Sequence, residues 1–203
     1  MDKKIITQII LLILFIIIIY YFYKLSKTEA TYVRSNLNNK EYLVLNLEDK
    51  EEASYILSVI HERIYILRDY LEKNIDKFPE FKEYIKQFSS GIKDLVLQEN
   101  PTDGKYTSFT VNKGEEISLC LRSKGTNTLH DINVLMYVVL HELAHVACPE
   151  INHTDLFKKI FIFFIQCAID LKIYKKSDYD IYPAEYCGLT IRENLLHNPN
   201  SYV

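Results

Sequence analysis

Five consecutive residues, His141-Glu142-Leu143-Ala144-His145, hold two imidazoles and a carboxylate at a spacing that suits metal chemistry. On a helix, residues four apart share one face, so His141 and His145 aim both rings at a single point. Glu142 falls beside that point, where a carboxylate can take a proton from a water activated by the metal. The pattern implies zinc, with hydrolysis of an amide bond as its chemistry. A catalytic zinc takes three protein ligands and keeps one position open, so a third donor is required. His153 is the leading candidate, because it follows Pro149 on a loop that can double back toward the helix. Glu150 and Glu185 are carboxylate alternatives. Cys148 continues the face of 141 and 145, but Pro149 pushes it out of helical geometry. Tyr186 and Tyr182 are candidates, by residue type and position, for stabilising an oxyanion. The bland alternative is a pair of buried histidines without metal, and the glutamate beside them weighs against it. His130 and His197 have no partner pattern and read as surface or capping residues.

Such a motif needs a helix to display it. Residues 132–140 are almost wholly apolar and lack Gly and Pro, as a buried helix requires; Asp131 or Asn127 can cap its start, and Pro149 stops it. Upstream, residues 48–74 carry Ala53, Ile56, Leu57, Ile60, Ile64, Leu67 and Leu71 as one helical stripe. Within it, His61-Glu62-Arg63-Ile64-Tyr65 has Tyr where a second ligand would stand, and reads as part of the amphipathic face. A shorter helix is expected over 79–88. The period then changes to two, with strands expected at 92–97, 106–112 and 117–122, and turns at 101–104 and 112–115. Cys120 faces away from Ile117, Leu119 and Leu121 and reads as packed rather than reactive. Residues 154–174 form a further helix, capped by Thr154 or Asp155; its apolar run at 160–165 is too short for a second membrane span. Residues 182–191 close the fold, and 201–203 read as a frayed end. Helices, a short antiparallel sheet and then the motif helix indicate an α+β class.

At 203 residues, the chain holds one domain with accessories. A net charge of -3 gives no electrostatic case for nucleic-acid binding. The four cysteines, at 120, 148, 167 and 187, lie far apart with no C-x-x-C, which does not read as a disulfide framework and fits a reducing compartment better. Residues 5–23 are an almost unbroken apolar run, long enough for one membrane crossing, with Tyr20, Tyr21 and Tyr23 clustered at one end. No small-residue cleavage site follows, so an uncleaved anchor is expected. The division is therefore an anchor at 1–25, a polar tether at 26–47 that becomes ordered near Tyr42-Leu43-Val44-Leu45, and the metal-binding domain at 48–203. Lys3 and Lys4 precede the span; Lys24, Lys27, Arg34 and Lys40 follow it, a count that mildly favours a cytoplasmic domain.

The combination of Asn112-x-Gly114-x-x-Ile117-x-Leu119-x-Leu121-Arg122, Leu140 to His145, Pro149, and His153-x-x-x-Phe157 resembles the WLM family of zinc metallopeptidases. That family is related to the SprT/Spartan-type proteases that digest proteins crosslinked to DNA. The resemblance runs roughly over residues 50–191. It implies a zincin-like fold, Zn2+ as cofactor, a protein or peptide substrate, His141, His145 and His153 as ligands, and Glu142 as catalytic base. One departure stands out: seven residues separate His145 from His153, a longer loop than is typical of the family. Cys148-Pro149-Glu150 and Tyr186-Cys187-Gly188 resemble the branch found in large DNA viruses. The anchor and the acidic charge favour a membrane-tethered peptidase, in a host or virion membrane, over a chromatin repair protease. A hydrolase of another amide bond, or a membrane-anchored scaffold keeping the zinc fold without turnover, are the competing readings. Oligomeric state is not legible.

Overall fold

A mixed five-stranded sheet and the helices packed on it place the His141–His145 segment against the sheet's last strands. The computed structural model describes residues 3–27, 30–100 and 107–192. The expected turn at 101–104, His197 and the chain end at 201–203 lie outside the described residues. In chain order the elements are α1 (Lys3–Lys27), β1 (Ala30–Arg34), β2 (Glu41–Leu45), α2 (Lys50–Lys73), α3 (Lys82–Gly91), β3 (Val96–Glu99), β4 (Ser108–Val111), β5 (Glu116–Leu119), α4 (Ile132–Ala147), α5 (Asp155–Asp170), β6 (Ala184–Tyr186) and β7 (Leu189–Ile191). The sheet order is β1-β2-β3-β5-β4, and β6 and β7 form a separate two-stranded sheet.

Two expectations are corrected here. Residues 30–45, read as tether, form β1 and β2, an antiparallel pair running from Ala30 opposite Leu45 to Arg34 opposite Glu41. Their polar middle is the turn itself: Ser35 N–H donates to Lys40 O, and Asn39 takes φ 59°, a conformation that Asn tolerates. The sheet thus begins at Ala30. The sheet, expected to be antiparallel, is mixed: β2 runs parallel to β3, and β3 parallel to β5. Parallel neighbours need a long crossover, and α2 with α3 supplies it between β2 and β3. Order expected only near residues 42–45 marks the place of β2 but not its pairing, and so not the crossover.

The helical stripe of α2 forms the core as expected, with Leu57, Ile60, Ile64, Leu67 and Leu71 fully buried. His61 belongs to that helix and is 4 % exposed. Its ring stacks on Tyr65, and its Nε2 lies 2.8 Å from Lys40 Nζ. Arg122, just beyond β5, is 1 % exposed and ties several elements together. Its Nε donates to Glu99 at 2.7 Å and its Nη1 to Asp49 at 2.6 Å, while Glu99 also accepts from Leu45 N–H.

The cysteine reading is also corrected. Cys120 and Cys187 form a disulfide with Cα atoms 6.2 Å apart, whereas Cys148 and Cys167 are free and buried. A spacing of 67 residues hides the pair, because it exists only once the turn between β6 and β7 lies beside the end of β5. In α1, residues Lys4–Tyr23 form one helix long and apolar enough to cross a membrane, and none of that stretch is buried.

Candidate metal centre

Helix α4 starts where Asp131 accepts from Asn133 N–H at 2.8 Å, and ends as Cys148 turns extended ahead of Pro149. The chain leaving it is pinned at once. Gln87 Nε2 donates to Val146 O at 3.0 Å, and Lys113 Nζ to Cys148 O at 3.3 Å. Lys113 is held there because Gly91 and Gly114 cross closely; a Cβ on Gly91 would lie 2.4 Å from Lys113 O. Asn152, at φ 70°, then reverses the loop so that His153 meets α4 just before the Thr154 cap of α5.

Three Nε2 atoms converge: His141 to His145 3.2 Å, His145 to His153 3.2 Å, His141 to His153 3.0 Å. A neutral Nε2 either carries a proton or offers a lone pair, so a closed triangle must pair two donors or two acceptors somewhere. A cation on the triangle's axis removes that conflict, and a triangle of this size accommodates zinc–nitrogen bonds of about 2.0–2.1 Å. Burial, then the neighbouring imidazoles, pushes His141 down to about 3. Burial, then His153, pushes His145 down to about 4. His153 is also lowered, by burial and then Lys158. All three are therefore unprotonated at neutral pH, the form that binds a metal. Phe157 backs the group from the first turn of α5, with its ring 5.0, 4.2 and 4.9 Å from those of His141, His145 and His153. The donor set and its spacing fit zinc.

Beside the triangle, Glu142 is 9 % exposed and accepts from Thr110 Oγ1 at 2.9 Å. Burial raises its carboxyl above the usual range, and the Thr110 hydrogen bond partly offsets that. Glu142 borders a cleft of about 570 Å³ that is also lined by Ser108, Tyr137, His141, His153 and Tyr186, among others. One wall is β4, the edge strand of the large sheet; the other is the β6–β7 hairpin. Tyr186 is buried and meets Ser108 Oγ through its hydroxyl. Burial raises its phenol, so it keeps its proton and remains a donor.

Residues 37–160 match the WLM domain family. The chain belongs to the WLM family. Relatives of this WLM protein occur in large DNA viruses. An uncharacterized protein of Acanthamoeba polyphaga mimivirus is 64% identical over 173 residues, covering 85% of this chain and 88% of that protein. An uncharacterized protein of Invertebrate iridescent virus 6 is 28% identical over 154 residues, covering 72% and 83% respectively. Among solved structures, Wss1 from Saccharomyces cerevisiae aligns at 22% identity with a TM-score of 0.47, over 64% of this chain and 88% of that one.

In the WLM domain, His141, His145 and His153 come together despite the long loop, and among the described residues their cluster takes in none of Cys148, Glu150 and Glu185. Glu185 instead accepts from Gly188 N–H and lies 3.8 Å from His130. Tyr186 lines the cleft, whereas Tyr182 is 77 % exposed and is not part of its lining. That choice follows from β6, which turns Tyr186 inward and leaves Tyr182 ahead of the strand. His130 is not a surface residue: its Nε2 accepts from Cys187 N–H at 3.2 Å, and its ring packs on Tyr186. Sequence reasoning missed Thr110, Ser108, Tyr137 and the disulfide. The period-two pattern over 106–112 puts Ser108 and Thr110 on one face, which was the available signal for those two. Tyr137 could have been found four residues before His141 on the same helical face.

Proposed function

We propose that this chain is a membrane-anchored, zinc-dependent peptidase of the WLM family. The carrying observation is the triangle of three Nε2 atoms, 3.0–3.2 Å apart, with the Glu142 carboxylate next to it in an open cleft. His141, His145 and His153 would hold the ion, which when bound supplies Lewis-acid polarisation of a carbonyl and a more acidic water. Glu142 takes the proton of the attacking water and passes it to the leaving amine. Its raised affinity for a proton, from burial, suits that relay. Thr110 fixes which oxygen of Glu142 faces the water by occupying the other. Tyr186 donates its phenolic proton in a hydrogen bond to the oxyanion as it develops. Membrane attachment is supported by α1, whose apolar length of 20 residues suits one crossing.

The test is metal analysis of the purified full chain, joined to a peptide-library assay with chelator and zinc add-back. One zinc per chain and chelator-reversible cleavage are expected. A chain that binds no zinc, or cleavage indifferent to chelation, would contradict the reading; zinc without cleavage of any peptide would favour the scaffold.

A further inference from the structure

The β6–β7 hairpin forms one wall of the cleft, yet it pairs only with itself: neither strand joins the large sheet. Its register is tight, with Ala184 opposite Ile191 and Tyr186 opposite Leu189, and its turn is Cys187-Gly188. Both turn residues have positive φ, 52° for Cys187 and 82° for Gly188, as a two-residue primed turn demands. Gly, Asn or Asp ordinarily fills the first of these places, because a left-handed backbone costs other side chains energy. A cysteine there needs a reason, and its bond to Cys120 supplies one.

The other attachments of the hairpin converge on the same spot. Cys120 follows directly on β5, its N–H donates to Thr107 O, and Ser108 stands opposite Leu119 on the neighbouring rung. The Tyr186 hydroxyl meets Ser108, and the Cys187 N–H donates to His130 Nε2. Tyr186 is thus the residue next to a covalent staple whose far end is planted beside its own hydrogen-bond partner.

We infer that Cys120 and Cys187 are positioning residues for the reaction proposed above: their disulfide holds Tyr186 in the cleft, so that turnover requires the oxidised protein. The inference rests on that reading of Tyr186 as oxyanion donor. A thiol that attacks either sulfur forms a mixed disulfide, and a second thiol releases it. The protein gains two electrons and two protons, the dithiol becomes a disulfide, and the hairpin is left without its covalent tie, held by the Tyr186–Ser108 hydroxyl contact, the Cys187 N–H to His130 hydrogen bond and the contacts of Tyr186 and Glu185 with His130. Both sulfurs belong to buried residues, so reduction follows opening of the hairpin and the staple is stable once formed.

The experiment compares the full chain in detergent, wild type against the Cys120→Ser/Cys187→Ser double variant, with Tyr186→Phe added to each. Wild-type protein reduced by a dithiol until two new thiols titrate, then resupplied with zinc, serves where the double variant folds poorly. Opening the staple is expected to speed amide exchange across 184–191, while zinc content and exchange in α4 stay unchanged. Turnover should fall by the factor that Tyr186→Phe costs, on the order of 10²-fold. Adding Tyr186→Phe to the unstapled protein should then cost nothing further. Unchanged exchange at 184–191 overturns the inference, as does a Tyr186→Phe penalty of equal size with and without the disulfide. An oxidised wild type that hydrolyses nothing sinks the peptidase reading instead, and the exchange comparison still decides the staple.

Discussion

Glu142 sits in a buried place, and Thr110 is the group that aims it, through a 2.9 Å hydrogen bond from the next element over. A hydrogen bond to a charged group contributes about 1.5–3 kcal/mol. Thr110→Val is therefore expected to lower kcat by roughly tenfold or more, with KM and zinc content unchanged and Thr110→Ser restoring most of the rate. A drop confined to KM would assign Thr110 to substrate binding instead. His61 offers a second test, remote from the triangle. Burial, then Lys40, pushes it from 6.5 down to about 4. Between those values the unfolded chain takes up a proton that the folded one refuses, so stability falls as pH drops from 6.5 toward 4 and levels off below. The slope is at most about 1.4 kcal/mol per pH unit. Urea midpoints of the His61→Gln variant should vary less over that window, and curves parallel to wild type would contradict the assignment. His141, Glu142 and His145 were legible in the sequence because one helical turn places all three. Thr110 and the cysteine pair act across 32 and 67 positions, and the Ser108 partner of the candidate Tyr186 across 78, separations that only sheet pairing closes.

Among the elements, α2, α4 and α5 were legible, since each carries a long apolar stripe and α4 and α5 add a side-chain cap. Three strands, β3, β4 and β5, were found, but their directions were not, and β1, β6 and β7 were missed. Alternation marks a strand without naming its partner, and β2 showed only as order near residues 42–45, after a segment rich in Asn and Lys. What fixes the parallel β2–β3–β5 arrangement is the Arg122 clamp, which joins the ends of β2 and β3 to the start of α2. Arg122→Ala leaves the Glu99 carboxylate, fully buried, without its cation. Breaking a buried pair in this way costs about 3–5 kcal/mol. The melting temperature should fall by roughly 10 °C, with part recovered by adding Glu99→Gln. A shift within a degree or two would show that the clamp is not needed.

For the whole molecule, the anchor helix and the disulfide bear on where the site works. Four basic residues after the span against two before it favour a cytoplasmic domain by a small margin. A structural disulfide instead suits an oxidising compartment, which is the opposite expectation. The expected result is a full chain that resists alkaline extraction from membranes, with Cys120 and Cys187 blocked to alkylation in intact cells until a reductant is added. Release by alkaline wash would remove the anchor; free thiols at both positions would restore the cytoplasmic orientation.

In the proposed peptidase, Glu142 works on water beside an ion held by His141, His145 and His153. Glu142→Gln keeps the shape of the side chain and removes the base. Zinc content equal to wild type with cleavage lost by several orders of magnitude is the predicted result. Cleavage at the wild-type rate by the zinc-loaded Glu142→Gln protein would contradict it.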